Sequence, residues 1–556
     1  MKKMFYIFYA GLVCCGAATA ITSCSDDTYG PDPEKNWSGT TETFIPTDEK
    51  GFRTYYNPAI GRCGDPMPFY DQKAQEFKVL YLQEYDNNGA CYHPYWGVST
   101  ADAVKTSAGA LNYLPVCRER NLVKAVKLLR DSGFKIVGTS DKQQDAVLGT
   151  GCAVYNENDG LYYIYYTGYN ILLSNREVVM RATSPDFKNW TRDYNWSLRG
   201  ADYEYSKMDF RDPQIFKIDD GTYRMVISTS PAAGGDPVFA EFKSTDMKNW
   251  ENVGPFKMLW NRMCECPDIF KMGDWWYLIY SDASHEGNAR TVKYVKADSY
   301  ENLKKCFNDP DHNFPDDKQG QLDSRGFYAG KTASNGTDRY IWGWCPYRKG
   351  ADIFEKNVNV GAEEPEWSGA LVCHKIVQHA DGTISFGPVQ GIDAKYDKTQ
   401  EVNVMASNGY SNGTLAGEGA YVLYTRLGVC NHISFTVTTA NQGDKFGISL
   451  VRGTDSEKYY TMVVNPEDGN AKRKINFEEE GKEGKGFIGN IDGYMFPTPS
   501  DNTYKVDIYT DNSVMVMYIN DNVCYTNRIY GIQKNCWSIN GYGGTITISD
   551  VRVSQQ

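Results

Sequence analysis

Five short aromatic-rich runs, spread over the first two thirds of the chain, constrain its fold more than any other feature. Each combines aromatic and β-branched residues between turn residues, which is typical of a short strand. They begin about 50 to 85 residues apart, a spacing that indicates a repeated sheet. The runs are residues 77–82, 161–166, 223–227, 275–280 and 339–344. Sheets that recur at such intervals predict the blades of a β-propeller.

A second repeat follows two of these runs. Residues 184–190 read Ser-Pro-Asp-Phe-Lys-Asn-Trp, and residues 244–250, which begin 60 positions later, read Ser-Thr-Asp-Met-Lys-Asn-Trp. Ser and Asp side chains hydrogen-bond the backbone in turns, so the shared residues have a physical reason. Ser99 and Asp102 suggest a degenerate earlier copy. Residues 121–132 have an amphipathic pattern that predicts a helix inserted between the first two blades.

The aromatic repeat stops after about residue 395, where alternating strands and polar turns begin. The clearest strand patterns cover residues 432–437, 505–509, 514–519 and 545–551. Residues 466–486 are rich in Glu, Lys and Gly and predict an exposed loop. We therefore predict an all-β chain, with a five-bladed propeller over residues 51–392 and a β-sandwich over residues 393–556.

The N-terminal 24 residues resemble a bacterial lipoprotein signal. A basic start precedes a mostly apolar run, residues 4–20, which is shorter than a typical membrane span. The run ends in Ile-Thr-Ser-Cys24, and Cys24 would be lipidated; the alternative is an ordinary secretory signal cleaved nearby. The polar residues 25–50 predict a tether, and their Ser-Asp-Asp start resembles a surface-export tag of Bacteroides-type lipoproteins. We expect a lipid-anchored outer-membrane protein facing the cell surface or the periplasm.

Charge and composition exclude several classes of function. The chain has 58 basic and 70 acidic residues, and its net charge of −12 disfavours binding to nucleic acid. Twelve of its 15 cysteines follow Cys24. Export permits disulfides, but the spacing shows no disulfide framework, and we predict mostly free thiols. The six histidines show no metal-ligand spacing, so we expect neither a metal nor another cofactor.

Three carboxylates share a local pattern. Asp65 lies in Gly-Asp-Pro, Asp212 in Arg-Asp-Pro and Glu265 in Cys-Glu-Cys-Pro, each before an apolar strand. Proline restricts the backbone, so we expect each acid at the beginning of a strand. Innermost propeller strands surround a channel, where acids from different blades would converge. For any one of these acids alone, capping a turn is a better explanation than catalysis. The ordered set of three favours a functional site.

Converging carboxylates are what glycoside hydrolysis requires. One ionised carboxylate attacks the anomeric carbon, and one protonated carboxyl group assists the leaving oxygen. A third carboxylate can orient the hydroxyls of the substrate. Trp96, Tyr328 and Trp344 are candidate surfaces for stacking against sugar rings, with packing in the blade core as the alternative.

The motifs together resemble glycoside hydrolase family 32, the invertase, levanase and inulinase family. Its Asn-Asp-Pro-Asn-Gly, Trp-Gly-His, Ser-Gly-Ser-Ala, Arg-Asp-Pro and Glu-Cys motifs have counterparts here in the same order, followed by three more segments. The matching segments are Asp65-Pro66, Trp96-Gly97, Thr150-Gly151-Cys152-Ala153, Arg211-Asp212-Pro213, Glu265-Cys266, and residues 326–329, 341–344 and 367–371.

The resemblance implies a retaining β-fructofuranosidase that acts on levan, inulin or short fructo-oligosaccharides. It implies Asp65 as the nucleophile, Glu265 as the general acid/base and Asp212 as the stabiliser of the transition state. Arg211 would contact Asp212 or the sugar. The substrate-binding candidates are Trp96, Thr150, Arg211, Tyr328 and Trp344.

The segment around Asp65 departs from the family pattern. Arg-Cys-Gly precedes this acid, Met67-Pro68 replaces Asn-Gly, and Leu82 stands at the position of a family glutamine. These positions belong to the sugar-binding subsite, so the catalytic trio is more strongly indicated than the sugar. Two alternatives stay open. One is a hydrolase of another furanoside or pentoside, such as an arabinofuranoside, galactofuranoside or xyloside, and the other is a non-catalytic surface glycan-binding lipoprotein.

Overall fold

The computed structural model describes most of the chain after residue 51. The described residues are 52–56, 62–87, 90–99, 104–106, 109–112, 144–145, 147–170, 173–187, 190–257, 263–282, 291–306, 320–348, 365–452, 459–466, 475–480, 498–529, 531–532 and 535–556. The predicted signal, the tether and the helix at 121–132 lie outside them. Strands dominate, which confirms the all-β class.

Helices are few and short in the described part of the chain. They are α1 (Tyr300–Lys305), α2 (Gln390–Asp393) and a 3-10 turn at Gly200–Tyr203. None of these described helices has the length and apolar character needed to cross a membrane.

Consecutive strands form successive, mainly antiparallel sheets in the first part of the chain. The first sheet has β1 (Arg62–Asp71), β2 (Glu76–Asn87) and β3 (Ala90–Ser99), with β4 (Val104–Thr106) and β5 (Gly109–Asn112) beside them. The second has β6 (Val147–Asn156), β7 (Leu161–Tyr169), β8 (Glu177–Ser184), β9 (Thr191–Arg192) and β10 (Leu198–Arg199). The third has β11 (Tyr205–Lys217), β12 (Tyr223–Pro231), β13 (Val238–Ser244) and β14 (Glu251–Lys257). The fourth has β15 (Cys264–Met272), β16 (Trp275–Asp282) and β17 (Thr291–Ala297), and the fifth has β18 (Tyr328–Ser334), β19 (Arg339–Arg348), β20 (Pro365–Gln378) and β21 (Ile384–Gly387).

The first strands of these sheets contact one another in a closed ring, from β1 through β6, β11, β15 and β18 back to β1. Cys63 of β1 pairs with Gly369 of β20, which joins the last sheet to the first. Each predicted aromatic run forms the second strand of its sheet. A ring of radial sheets is a β-propeller, as predicted. The number of five blades stays a prediction, which this ring supports.

The repeated Ser-x-Asp turn has the same geometry in both copies. Ser184 ends β8 and Ser244 ends β13; each hydroxyl donates to the following Asp side chain at 3.0 Å and accepts from its backbone N–H at 3.2 Å. The fourth residue of each copy has a left-handed backbone, with φ of 60° at Phe187 and 57° at Met247. These shared features confirm that the motif is a structural repeat.

Two further sheets form the predicted sandwich. Their strands are β22 (Lys398–Gln400), β23 (Val404–Asn408), β24 (Tyr410–Ser411), β25 (Thr414–Ala416), β26 (Tyr421–Tyr424), β27 (Cys430–Thr439), β28 (Phe446–Arg452), β29 (Tyr459–Val464), β30 (Ile475–Glu480), β31 (Thr503–Asp511), β32 (Val514–Ile519), β33 (Val523–Arg528), β34 (Cys536–Gly541) and β35 (Thr545–Gln555). One sheet contains β23, β26, β28–β30 and β34, and the other contains the remaining strands. Buried apolar residues of both sheets form one core.

The predicted loop at 466–486 is partly wrong. Its middle forms β30, which pairs with β29, and Ile475 is fully buried. The charged composition of the segment concealed a short apolar-polar alternation at the beginning of this strand.

The propeller and the sandwich pack closely against each other. Asp511 of the sandwich accepts the backbone N–H groups of Arg53, Thr54 and Tyr55 at 2.6–2.9 Å. The buried Arg528 donates to the carbonyl of Cys345 at 2.7 Å. β21 is the last strand in the propeller sheets and β22 pairs with β35, so the predicted boundary at 392/393 falls between them.

One histidine belongs to a buried polar cluster that the sequence did not predict. His374 Nε2 lies 3.3 Å from Asp323 Oδ2, and Cys524 Sγ donates to the same oxygen at 3.4 Å. Asp323 also accepts the backbone N–H and hydroxyl of Thr526. These groups satisfy one another where the propeller meets the sandwich. Ten cysteines in the described part of the chain are buried and form no disulfide, which confirms the prediction of mostly unbridged thiols for that part.

Candidate active site

Every innermost propeller strand is interrupted by a β-bulge, and β11 has an additional register shift between Tyr205 and Phe210. The register against the second strand shifts between Gly64 and Met67, Leu148 and Gly151, Arg211 and Gln214, Glu265 and Asp268, and Tyr328 and Lys331. A bulge leaves residues outside the ladder and re-aims their side chains. The predicted site residues in or directly beside these bulges are Asp65, Thr150, Arg211, Asp212, Glu265 and Tyr328.

The bulges explain where the prolines lie. The sequence predicted acids at strand starts, and Glu265 is indeed the second residue of β15, but Asp65 and Asp212 lie well inside β1 and β11. Their following residues, Pro66 and Pro213, occupy the bulges. A bulged position needs no ladder N–H, so proline is accepted inside an innermost strand.

Asp65 is partly exposed and is held by two donors. Thr150 donates its hydroxyl to Oδ2 at 2.5 Å, and Trp344 donates Nε1–H to Oδ1 at 3.0 Å. Burial and the neighbouring Asp212 raise the pKa of Asp65, while these two hydrogen bonds act to lower it. Because both oxygens are fixed by donors from other blades, the carboxylate has a defined orientation.

Asp212 is buried and is linked to the neighbouring blade. Its Oδ2 accepts the backbone N–H of Cys266 at 2.9 Å, and its own N–H donates to Thr167 Oγ1 at 3.0 Å. Its φ of 61° is rare for a residue other than glycine, and such strain concentrates at functional sites. Within the described part of the chain, no hydrogen bond is made to Oδ1, which leaves this oxygen for a substrate.

Glu265 is almost fully buried. Tyr328 donates its hydroxyl to Oε2 at 3.0 Å, and Arg211 Nε lies 3.5 Å from Oε1. Burial is the largest influence and, with the charges of Asp212 and Asp65, raises the pKa of Glu265 to about 8, although Arg211 acts to lower it. Glu265 is therefore protonated at neutral pH, as a general acid must be.

Arg211 pairs with carboxylates other than Asp212, which was one of its two predicted partners; contact with the sugar, the other, stays a prediction. Its Nη1 donates to Glu177 at 2.8 Å and to Asp209 at 3.0 Å. Asp212 interacts with this guanidinium more weakly than Glu177, Asp209 and Glu265 do. The sequence did not reveal Glu177, because it lies 34 residues before Arg211 and outside any motif.

Two family models match the chain in tandem. The "Glycosyl hydrolases family 32 N-terminal domain" matches residues 130–385, and the "GH32, BT1760-like, C-terminal domain" matches residues 382–553. The chain belongs to glycoside hydrolase family 32. The first match includes Asp212 and Glu265 and begins after Asp65.

Known proteins of family 32 are similar over most of the chain. Raffinose invertase from Escherichia coli is 24% identical over 406 residues, which cover 68% of this chain and 74% of that protein. Exo-inulinase from Aspergillus awamori has a TM-score of 0.64 at 15% identity, covering 91% of this chain and 98% of that one. A Bombyx mori β-fructofuranosidase has a TM-score of 0.60 at 17% identity, covering 94% and 97%. These structures confirm the fold of a propeller followed by a sandwich.

Two of the three aromatic candidates for stacking against a sugar are buried. Tyr328 and Trp344 are 4% and 2% exposed, and they meet edge to face with ring centroids 5.3 Å apart. They pack with Cys266 and donate hydrogen bonds to the acids, so their burial favours core packing, the alternative to an open stacking surface. Trp96 lies in β3 opposite Leu82; its side chain lies outside the described part of the structure.

The departures from the family 32 pattern are accommodated by packing. Leu82 is 4% exposed and joins an apolar cluster with Met67. Met67 Sδ also accepts the backbone N–H of Gly151 at 3.1 Å. Gly151 is required there, because a Cβ atom would lie 1.8 Å from the carbonyl oxygen of Tyr165. The side chains that replace the family's polar groups therefore support the bulge carrying Thr150.

A separate cavity of about 460 Å³ is lined by residues that follow the bulges, including Phe69, Tyr155 and Gln214. None of the three acids lines it. Lys331, which is 2% exposed, donates from Nζ to the carbonyl of Gly151 at 2.8 Å and so connects β18 to β6. This cavity is distinct from the acid cluster and is not the active site.

Proposed function

We propose that the protein is a retaining β-fructofuranosidase that hydrolyses levan, inulin or short fructo-oligosaccharides. The observation that carries this proposal is the unequal pair of acids. Glu265 is buried with a pKa of about 8, whereas Asp65, whose pKa is also raised by burial and by Asp212, accepts two hydrogen bonds that favour its ionised form. One acid holds a proton while the other presents an oriented carboxylate, which is the division of roles that a retaining glycosidase needs. Membership of family 32 and its invertase and inulinase relatives support the same activity.

In the first step, Asp65 attacks the anomeric carbon of a fructosyl unit. The bond to the leaving oxygen breaks, and Glu265 gives its proton to that oxygen. A covalent bond forms between the fructosyl unit and a carboxylate oxygen of Asp65. Asp212, with Oδ1 open to the substrate, accepts hydroxyl hydrogen bonds that orient the sugar.

In the second step, the now ionised Glu265 takes a proton from water, and the oxygen of this water attacks the anomeric carbon. The bond to Asp65 breaks, and its carboxylate is regenerated. Arg211, with Nε 3.5 Å from Oε1, and the Tyr328 hydroxyl stabilise the ionised form of Glu265 between the two steps.

A glycan panel tests this proposal. The purified protein is incubated with levan, inulin and sucrose, and with arabinofuranosides, galactofuranosides and xylosides, and the products are identified by chromatography. Fructose or short fructans released with retained anomeric configuration support the proposal. Cleavage restricted to another furanoside or pentoside contradicts it, as does inactivity of the folded protein towards every glycan.

A hydrolase of another furanoside or pentoside is the second candidate. One observation favours it: Met67 and Leu82 are buried in an apolar cluster at positions where the family has polar sugar-binding groups. A site built to bind different hydroxyls rejects the wrong sugar strongly. The non-catalytic alternative is disfavoured, because a binding protein needs no proton on Glu265.

We also propose that Cys24 is lipidated and anchors the enzyme to the outer membrane. The lipobox-like Ile-Thr-Ser-Cys24 and the polar residues 25–50 support this location. Replacing Cys24 with Ala should move the enzyme from the membrane fraction to the soluble fraction. Unchanged membrane fractionation of C24A would contradict the anchor.

A further inference from the structure

Glu177 is a buried carboxylate outside the family motifs. It begins β8 on the second blade and is 2% exposed. Its Oε1 and Oε2 accept from Arg211 Nη1 at 2.9 and 2.8 Å, and Oε2 also accepts the backbone N–H of Phe210 at 2.8 Å. Both oxygens are thereby fixed against the strand that carries Arg211 and Asp212.

The Arg211 guanidinium is held unequally between its acidic neighbours. Its terminal nitrogens lie 2.8–3.1 Å from Glu177 and Asp209, whereas Nε lies 3.5 Å from Glu265. The first distances are those of charge-assisted hydrogen bonds, and the last exceeds the usual range. Glu177 and Asp209 therefore hold the cation back from Glu265 and neutralise part of its charge.

We propose that Glu177 is a positioning residue for the acid/base Glu265, and that it acts by holding Arg211 at a distance where Glu265 keeps its proton. This role rests on the proposed function, because Glu265 must act as the general acid. Within the described part of the chain, the hydrogen bonds of the Glu177 carboxylate go to Arg211 and to the backbone N–H of Phe210, and none goes to Glu265. It determines how strongly the positive charge of Arg211 stabilises the ionised form of Glu265.

The charges around this group support the proposal. Burial raises the pKa of Glu177 to about 7 although Arg211 acts to lower it, and the surrounding carboxylates hold the pKa of Arg211 well above its usual range despite burial. If Glu177 lost its charge, Arg211 would favour the ionised form of Glu265 more strongly and would lower its pKa. The titratable groups that face these residues are Asp209 and Asp212 of β11, Tyr169 of β7, Asp65 of β1 and Tyr328 of β18.

The test is the pH dependence of kcat/KM for the variants E177Q and E177D, measured on a fructan that the wild-type enzyme cleaves. The basic limb reports the acid/base residue of the free enzyme. We expect E177Q to move this limb to lower pH by about one unit, with the acidic limb unchanged. E177D keeps the charge and should restore most of the wild-type profile.

The control is E241Q, which removes a charge of the same kind from another buried ion pair. Glu241 is 2% exposed and lies 3.0 Å from Arg224, away from the acid cluster. We expect E241Q to leave both limbs in place. If E177Q does not fold, D209N removes the other carboxylate that holds Arg211, and it should move the basic limb in the same direction.

A merely structural role for Glu177 would lower the rate at every pH without moving the limb, and that result overturns the proposal. A second readout needs no turnover. It is the infrared C=O stretch of a protonated carboxyl group, which is assigned to Glu265 by subtracting the spectrum of E265Q from that of the protein with Glu265. It should titrate at lower pH in E177Q than in wild type. If no fructan is cleaved but this shift is seen, the proposed function fails, while the effect of Glu177 on the proton of Glu265 is confirmed. An unshifted titration refutes the positioning role alone.

Discussion

The centre of the propeller and the centre of the sandwich bury side chains of opposite kinds. The sandwich core is apolar, and β27 and β31 pair through nine consecutive residues without a shift. The innermost propeller strands are each interrupted by a bulge, and they bury Asp212 and Glu265 beside the partly buried Arg211. The comparison teaches that the acids of the site lie where the ladder is broken, because a bulge re-aims the side chains in it and beside it. Changes in the two regions should therefore affect different properties.

The largest effect is expected from Asp65→Asn in the propeller. Without an ionised nucleophile, kcat should fall by about 10⁴-fold or more. The fold should persist, because the Asn carbonyl can accept the Trp344 N–H and the Asn amide can donate to the Thr150 hydroxyl. Fructose release and thermal melting measure the two properties. Near-normal turnover of a folded D65N would remove Asp65 from the mechanism.

Trp537→Ala in the sandwich should lower stability and leave turnover nearly unchanged, the opposite of Asp65→Asn. Trp537 is fully buried and stacks on Tyr424 at 4.6 Å between ring centroids. Its loss should lower the free energy of unfolding by about 3–5 kcal/mol. Denaturant unfolding measures this loss, and active-site titration should show nearly normal kcat for each folded molecule. A fall in kcat comparable to that of D65N would mean that the two regions are not separable.

The pH dependence of stability sharpens the comparison further. Glu265 has a pKa of about 8 in the folded state, above its ordinary value of 4.5, so the folded state binds its proton more tightly. This stabilisation is complete below pH 4.5 and is lost as the pH rises towards 8. Relative to E265Q, the wild-type protein should lose about 2 kcal/mol between pH 5 and pH 7. Parallel stability curves for the two proteins over this range would contradict the raised pKa.

The smallest effect is expected from Tyr328→Phe, which removes only the donor to Glu265 Oε2. That hydrogen bond acts to lower the pKa of Glu265. Its loss should therefore move the basic limb of kcat/KM to higher pH, opposite in direction to E177Q. We expect kcat to fall by about tenfold, the effect of one hydrogen bond to a charged group. A limb that moves to lower pH would show that Tyr328 does not donate to this acid.

The sequence predicted the elements and residues that have a local signature. The aromatic runs form the second strands of the propeller sheets. The acids that precede prolines lie together with Thr150 and Trp344 in the candidate active site. Residues whose roles depend on contacts between blades had no such signature. Glu177 reaches Arg211 only because β8 packs against β11. The aromatic content around Tyr328 and Trp344 suggested stacking surfaces, whereas burial turned both side chains into donors for the acids.

The most direct test of the central claim is to capture the covalent intermediate on Asp65. The wild-type enzyme is mixed with inulin or levan, quenched rapidly with acid, digested and examined by mass spectrometry. We predict one hexosyl group attached to Asp65, absent from D65N and from samples without substrate. A hexosyl group on another carboxylate, or turnover that gives inverted product without any adduct, would contradict the account.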